Sequence, residues 1–285
     1  MKLGMQPPTT TVAAIVRTAL EEDLGRGDLT TDACVDASTQ GAASMGARSV
    51  LVFCGAPVVR EVARQVDALL CVEAVVHDGA QLSGGDIAMR LSGAARSLLA
   101  AERVALNFAQ RLSSIATTTR RFVAELPQGS TTRVTDTRKT TPGLRALERY
   151  AVRCGGGHNH REDLGAAVLI KDNHIAASGS IARAISRAKA QAPHTGRVTC
   201  EVDSLEQLEQ ALSAGADVVM LDNFDDADVA RGVQLVAGRA LVEVSGNVDA
   251  SRVATLARAG ADIISVGALT HSPDRVDLGL DWEGA

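Results

Sequence analysis

From Val134 onward, short apolar runs alternate with helix-like segments. Ala167–Ile170, Val198–Val202, Val218–Leu221, Leu241–Val244 and Ile263–Val266 have the β-branched density of buried strands. Between them, Leu205–Ala214 and Arg252–Ala259 have helical spacing. The segment Ala214-Gly215-Ala216-Asp217-Val218-Val219 returns as Ala259-Gly260-Ala261-Asp262-Ile263-Ile264, an internal echo in which both glycines suit the left-handed residue that ends a helix. Repeated βα units imply parallel strands joined by right-handed crossovers. With the strand that begins at Val134 the count is six, which predicts an incomplete, roughly six-stranded α/β barrel. Polar or glycine residues stand at the C-terminal ends of these runs: Asp136, Lys171, Glu201, Asp222, Ser245-Gly246 and Gly267. In a barrel those ends share one rim, where active sites lie, whereas an open doubly wound sheet would spread them along an edge.

The N-terminal part has a different rhythm. Val12–Glu22 is helical, Gly27–Thr31 is a turn or cap, and short strands follow within Ala42–Phe53, Val72–His77 and Ile87–Leu91, which together predict an α+β module. Its Asp78–Asp86 stretch resembles a lipoyl- or biotin-carrier hairpin but has no lysine at a suitable turn. A long helix over about Ser97–Leu126 then leads into the barrel and brings Arg103 with it. The expected division is an N-terminal domain over residues 1–110, a barrel over 111–271, and a tail, 272–285, that returns to the first domain.

Composition narrows the function. At 285 residues and 46% hydrophobic content the chain can bury a sizeable core. Met1–Thr11 has no signal-like pattern and no window is apolar enough to span a membrane, so cytoplasm is the expected compartment. Cys34, Cys54, Cys71, Cys154 and Cys200 are odd in number and lack a Cys-x-x-Cys pair, which argues against disulfides and a zinc cage. Aromatic residues are 2% of the chain and the net charge is -5, which disfavours nucleic-acid binding by base stacking or by a broad basic face.

Against that acidic balance, Arg103, Arg138, Lys139, Arg161 and Lys171 all fall in motif-like segments. Two like charges a few ångströms apart repel by about 1 kcal/mol in water and roughly 4 kcal/mol at a protein-like dielectric, so a sheltered cluster implies a small, strongly anionic ligand. The alternative is a solvated basic surface. Gly-x-Gly-x-x-Gly and Gly-x-x-x-x-Gly-Lys-Ser/Thr are both absent, which leaves Ser245-Gly246-Asn247 and Gly267-Ala268-Leu269 as the candidate phosphate loops. Glu201 and Asp222 end apolar strands, where a carboxylate needs a cation, a metal or a hydroxyl-rich ligand. A salt bridge to Lys171 or Lys139 would also satisfy them. His158, His160 and His174 lack the partners of a recognisable zinc set, and Cys154 and Cys200 lack an activating neighbour.

Six segments taken together resemble the quinolinate phosphoribosyltransferases, the nicotinate-nucleotide pyrophosphorylases. They are Asp136–Arg145 (DTRKTTPGLR), Gly155–Arg161 (GGGHNHR), Leu169–His174 (LIKDNH), Met220–Asn223 (MLDN), Glu243–Asn247 (EVSGN) and Ser265–His271 (SVGALTH). The likeness runs from Glu22 to Leu278. It implies an N-terminal α/β sandwich, an incomplete barrel, magnesium and a homodimer or larger assembly. The implied reaction joins quinolinate to phosphoribosyl pyrophosphate and yields nicotinate mononucleotide, pyrophosphate and carbon dioxide.

Carried over by position, the resemblance gives Arg103, Arg138, His160 and Arg161 to the quinolinate pocket. Lys139 and Lys171 bridge the acid and the donor. Glu201 and Asp222 lie near the ribose hydroxyls and magnesium, and Ser245, Gly246, Asn247 and Gly267 cradle the 5′-phosphate. Arg48 matches an arginine that enters a neighbouring subunit's site. Water, Lys139 or His160 could protonate the decarboxylated ring. Asp163 and Ala166 depart from the family pattern and put the local loop geometry in question. Related transferase-like proteins linked to molybdenum uptake tend to lack the Asn-His-Arg and Lys-Asp-Asn-His sequences present here, and a non-catalytic sensor would not need Glu201 and Asp222.

Overall fold

The computed structural model of this chain describes residues 6–283, so the expectations for the first five residues and for the last two of the tail lie outside the described residues. In chain order the first elements are α1 (Thr9–Leu24), α2 (Leu29–Cys34), β1 (Gln40–Ala47), β2 (Leu51–Val52), α3 (Ala56–Val66), β3 (Cys71–Ala74), β4 (Gln81–Leu82), β5 (Ile87–Ala94) and α4 (Ala95–Ala124). Then come β6 (Arg133–Thr135), α5 (Arg145–Cys154), β7 (Val168–Ile170), α6 (Asp172–Ser178), α7 (Ile181–Gln191), β8 (Val198–Val202) and α8 (Leu205–Ser213). The chain continues with β9 (Val218–Asp222), α9 (Asp226–Val236), β10 (Leu241–Ser245), α10 (Ala250–Ala259), β11 (Ile263–Ser265), α11 (Ala268–His271) and β12 (Leu278–Trp282). These fall into two compact units, one of residues up to Arg120 with Thr140–Gly156 and the segment from Leu269, the other of Arg121–Lys139 and Gly157–Ala268.

The first unit is built on an antiparallel sheet ordered β12-β1-β5-β3, beside a small β2-β4 ladder. A Cβ on Gly41, where β1 meets β12, would lie 2.2 Å from the Trp282 ring and would push that ring aside. The apolar stretch Ala42–Phe53 is not one strand: the β1–β5 register shifts at Met45/Gly46 and the chain turns before β2. Asp28 caps α2 by accepting the Thr31 N–H at 3.0 Å, which gives the predicted turn its physical role. Sequence pattern did not foresee α3 or α5. The start of α3 is held by Asp78, whose carboxylate accepts the N–H groups of Gly55 and Ala56, both at 3.1 Å, and the Tyr150 hydroxyl at 2.6 Å. Along α5, the fully buried Glu148 accepts from Arg111 Nη2 at 2.8 Å and the Thr141 N–H at 3.1 Å, so a charge inside the core has its partners.

The second unit is a six-stranded parallel sheet ordered β6-β11-β10-β9-β8-β7, the incomplete barrel of the sequence reading. Its strands are short and apolar, with Val134, Cys200, Val219, Leu221, Val244 and Ile264 buried. Ser180, Ser204, Asp225 and Asp249 accept backbone N–H bonds at the starts of α7, α8, α9 and α10, so each of these helices has a side-chain cap. The internal echo also has a structural meaning. Asp217 accepts the Val198 N–H and Asp262 the Val242 N–H, both at 2.8 Å, each pinning the start of the neighbouring strand. Gly260 closes α10 at φ 102° and Gly215 follows α8 at φ 81°, the left-handed geometry expected of both. Among the described residues no helix is long and apolar enough to cross a membrane.

Candidate functional site

Because all six strands of the second unit are parallel, their C-terminal ends lie on the same side of the sheet. Asp136 follows β6, Lys171 follows β7, Glu201 is next to last in β8, Asp222 ends β9, Ser245 ends β10, and Gly267 follows β11. The chemistry-bearing residues of this unit are therefore gathered at one end.

At the β6 end a buried aspartate organises the cationic loop. Asp136, 0% exposed, accepts the backbone N–H of His160 at 2.7 Å and the Asn159 side-chain amide at 2.5 Å. His158 also bridges to Thr135, so the His158–Arg161 stretch is laid alongside β6. This fixes the loop that presents His160 and Arg161. Arg138 and Arg161 are half-buried, while Lys139 is exposed with its N–H on Thr137 Oγ1 at 3.1 Å. Burial first, and then the charge of Arg138, lowers the pKa of Arg161. Arg161 Nη1 donates to the Ala167 carbonyl at 3.0 Å, and Asp163 accepts the Gly165 N–H at 2.9 Å, so the loop bearing Asp163 and Ala166 is closed by its own contacts.

Across β7 and β8, the Lys171 ammonium meets the Glu201 carboxylate at 2.5 Å. Register explains the pair, since Ile170 lies opposite Cys200 and the next residue on each strand brings the two charges together. The sequence offered such a salt bridge as one way to satisfy Glu201. His174, considered above as a metal ligand, accepts the Lys171 N–H on Nδ1 at 3.0 Å and so helps form the start of α6.

At the β9 and β10 ends the backbone turns sharply. Asn223, Gly246 and Asn247 have φ of 60°, 88° and 49°, conformations that favour glycine and asparagine. The Asn223 side chain donates to Asp222 Oδ2 at 2.8 Å and accepts from the Asn247 amide at 3.1 Å, while the Asn223 N–H donates to the Ser245 carbonyl at 2.9 Å. A Cβ on Gly246 would stand 2.3 Å from Asn223 Oδ1, so only glycine fits. Turned backbone of this kind can expose N–H groups to an anion.

Arg103 and Arg48 belong to the first unit. Arg103 is exposed on α4, and Arg48, after β1, is paired with Asp281 at 2.5 Å and packed on Gly279. In the same unit Cys54, Asp78 and Cys154 bring their ligand atoms within 4.8 Å of one another. The Asp78 carboxylate there already takes three hydrogen bonds, and burial raises the Cys54 thiol well above its usual range, which leaves a poor ligand set. The Cys200 thiol is pushed up to about 11, by burial and then by Glu201, so it is no nucleophile either.

Sequence reasoning missed the carboxylate beneath this rim. Glu243 lies within β10, 2% exposed, with Oε1 3.2 Å from His160 Nε2. A charged residue inside the apolar run Leu241–Val244 was the available signal.

Comparison with known proteins agrees with the motif order. The quinolinate phosphoribosyl transferase C-terminal domain model matches residues 115–281 and the N-terminal domain model matches residues 28–113. The nicotinate-nucleotide pyrophosphorylase (carboxylating) of Mycobacterium leprae is 43% identical over 274 residues, covering 93% of this chain and 95% of that protein. The probable enzyme of the same name from Bacillus subtilis is 41% identical over 262 residues, covering 91% and 89%. The solved nicotinate-nucleotide pyrophosphorylase of Francisella tularensis superposes with a TM-score of 0.92 at 40% identity, covering 97% of each chain.

Proposed function

Since the chain belongs to the quinolinate phosphoribosyl transferase family, we propose that the C-terminal ends of its parallel strands carry out phosphoribosyl transfer to quinolinate, with decarboxylation, for NAD synthesis. The observation that carries this reading is that the Asp136-anchored loop bearing His160 and Arg161 and the Lys171–Glu201 pair both lie at the C-terminal ends of the parallel strands. Quinolinate presents two carboxylates next to a ring nitrogen. Guanidinium forks of Arg138 and Arg161 bind such groups bidentately and settle which ring atom faces the sugar. Lys139 and Lys171 stand between the acid and the donor. Ser245, Gly246 and Asn247, at the turned backbone after β10, hold the 5′-phosphate together with Gly267.

In the transfer step the ring nitrogen forms a bond to the ribosyl carbon as the carbon–oxygen bond to pyrophosphate breaks, and the pyrophosphate leaves with the electron pair. Positive charge builds on the sugar, where Glu201 and Asp222 stabilise it. In the second step the bond from the ring to its 2-carboxylate breaks, carbon dioxide departs, and the electron pair left on the ring carbon takes a proton. The adjacent pyridinium makes that carbanion accessible. Glu201 and Asp222 offer hard carboxylate oxygens on neighbouring strands and so fit magnesium, which when bound with the donor neutralises charge on the leaving group.

We assign Arg48 to a neighbouring subunit's site in a homodimer or larger assembly. Its pair with Asp281 is half exposed, and surface pairs of this kind contribute little, so exchange of partners is cheap. The unpaired cysteines among the described residues support a reducing, cytoplasmic setting. The test is release of labelled carbon dioxide from 2-carboxyl-labelled quinolinate, with purified protein, phosphoribosyl pyrophosphate and magnesium. The expected outcome is stoichiometric label release with nicotinate mononucleotide formation. Turnover of nicotinate in place of quinolinate would overturn the assignment.

A further inference from the structure

Glu243 is a buried carboxylate with no place in the steps above. It lies in β10 among Leu241, Val242 and Val244, where an ionised group costs several kcal/mol unless it is fully paired, and where a well-packed apolar residue is often at least as stabilising. Its partners form a directed chain across three adjacent strands and one loop. The Ser265 hydroxyl, on β11, donates to Glu243 Oε1, and His160 Nε2 approaches the same oxygen at 3.2 Å. Ser265 Oγ lies 2.9 Å from Thr135 Oγ1 on β6, with both residues 4% exposed. One assignment of protons satisfies every member. Thr135 donates to Ser265, Ser265 donates to Glu243, and His160 donates through Nε2–H to Glu243, because an ionised carboxylate only accepts.

From this geometry we infer that Glu243 is a positioning residue for His160: it fixes the ring with Nε2–H directed to its carboxylate and so sets which ring nitrogen can meet a substrate carboxylate. The inference rests on the quinolinate reading of the site. With the Asp136 carboxylate holding the His160 backbone at 2.7 Å and Glu243 holding the ring, the imidazole is anchored at both ends. In the complex both ring nitrogens donate, Nε2–H to Glu243 and Nδ1–H to a substrate carboxylate. Without the buried negative charge, the ring loses the partner that sets its orientation and its tautomer. Ser265 and Thr135 then serve as the outer links that orient Glu243.

The test combines kinetics with imidazole nitrogen NMR on the full-length protein, the His160 signal being assigned with a His160→Gln variant. In wild type, Nε2 carries the proton, and adding quinolinate protonates Nδ1 as well. Glu243→Gln is expected to abolish that pattern and to raise the KM for quinolinate at least about tenfold, with the KM for phosphoribosyl pyrophosphate within about twofold. Glu243→Asp, which keeps the charge, is expected to recover part of the quinolinate KM. A folded Glu243→Gln variant with wild-type quinolinate KM and unchanged His160 signals would overturn the inference. Should that variant fail to fold, wild type alone decides, since a proton on Nδ1 and none on Nε2 in the unliganded protein is equally fatal. Failure of the quinolinate reading looks different: wild type itself would make no nicotinate mononucleotide from quinolinate.

Discussion

Replacing Arg161 by alanine is expected to weaken quinolinate binding by between roughly 30-fold and several thousand-fold, with the fold intact. Truncating one partner of a desolvated, hydrogen-bonded charge pair costs about 2–5 kcal/mol, and each 1.4 kcal/mol is a factor of ten. Arg161 is well placed to show an effect in this range. Its guanidinium is half-buried and already crowded by Arg138, so in the free protein it sits in an environment that a dianion would relieve. Arg138→Ala should behave alike, and Arg161→Lys should recover only part of the loss, because an ammonium keeps the charge and gives up the bidentate fork. Calorimetric titration of quinolinate, with thermal melts as the control for folding, measures both. Wild-type affinity in a folded Arg161→Ala protein would remove this residue from the pocket. Melting would separate that outcome from collapse of the loop that Arg161 ties to the Ala167 carbonyl.

The second large effect belongs to the carboxylates on β8 and β9. Glu201→Gln and Asp222→Asn are each expected to lower kcat by about 100- to 1000-fold, the range seen when one group that stabilises transition-state charge is removed. The KM for quinolinate should move far less, since neither side chain contacts the acid in this account. Glu201 has an added role. Its carboxylate holds the Lys171 ammonium at 2.5 Å, so the amide variant also loosens a cation needed between the two substrates. For that reason Glu201→Gln should raise the KM for phosphoribosyl pyrophosphate more than Asp222→Asn does, because Asp222 is held by the Asn223 amide instead. Steady-state kinetics at saturating magnesium decide the matter. Unchanged kcat in either variant would exclude that carboxylate from charge stabilisation.

What could be recognised in advance follows from which interactions are local. The parallel strands of the second unit are short apolar runs each closed by a polar residue, so β8 and β10 begin where the pattern predicts and the rim residues Lys171, Glu201, Asp222 and Ser245 fall at strand ends. Gly215 and Gly260 announce left-handed turns because so few residue types tolerate them. The Lys171–Glu201 contact was foreseeable as charge satisfaction, and register alone supplies it. The Glu243–His160 contact was not, because the two positions are 83 apart in sequence and only the packing of β6, β11 and β10 brings them together. His174, which the sequence left without the partners of a metal set, has a local role. Its ring, suggestive of chemistry in a motif, accepts a backbone N–H at the start of α6. The helix α5 was hidden by its charge, since Glu148 and Arg153 mask an apolar face of Leu147, Tyr150 and Ala151, and Glu148 enters the core only because Arg111 meets it there.

Structure determination of the protein with quinolinate bound is the most direct test of the claim that cations from separate segments of the second unit converge on one doubly acidic ring. The account predicts one carboxylate within hydrogen-bonding distance of the Arg138 or Arg161 guanidinium, the other on a second member of the group Arg138, His160 and Arg161, and the ring nitrogen directed toward Lys171 and Glu201. Quinolinate bound away from the C-terminal ends of β6 to β11, or Arg138 and Arg161 turned from it in the saturated complex, would contradict it.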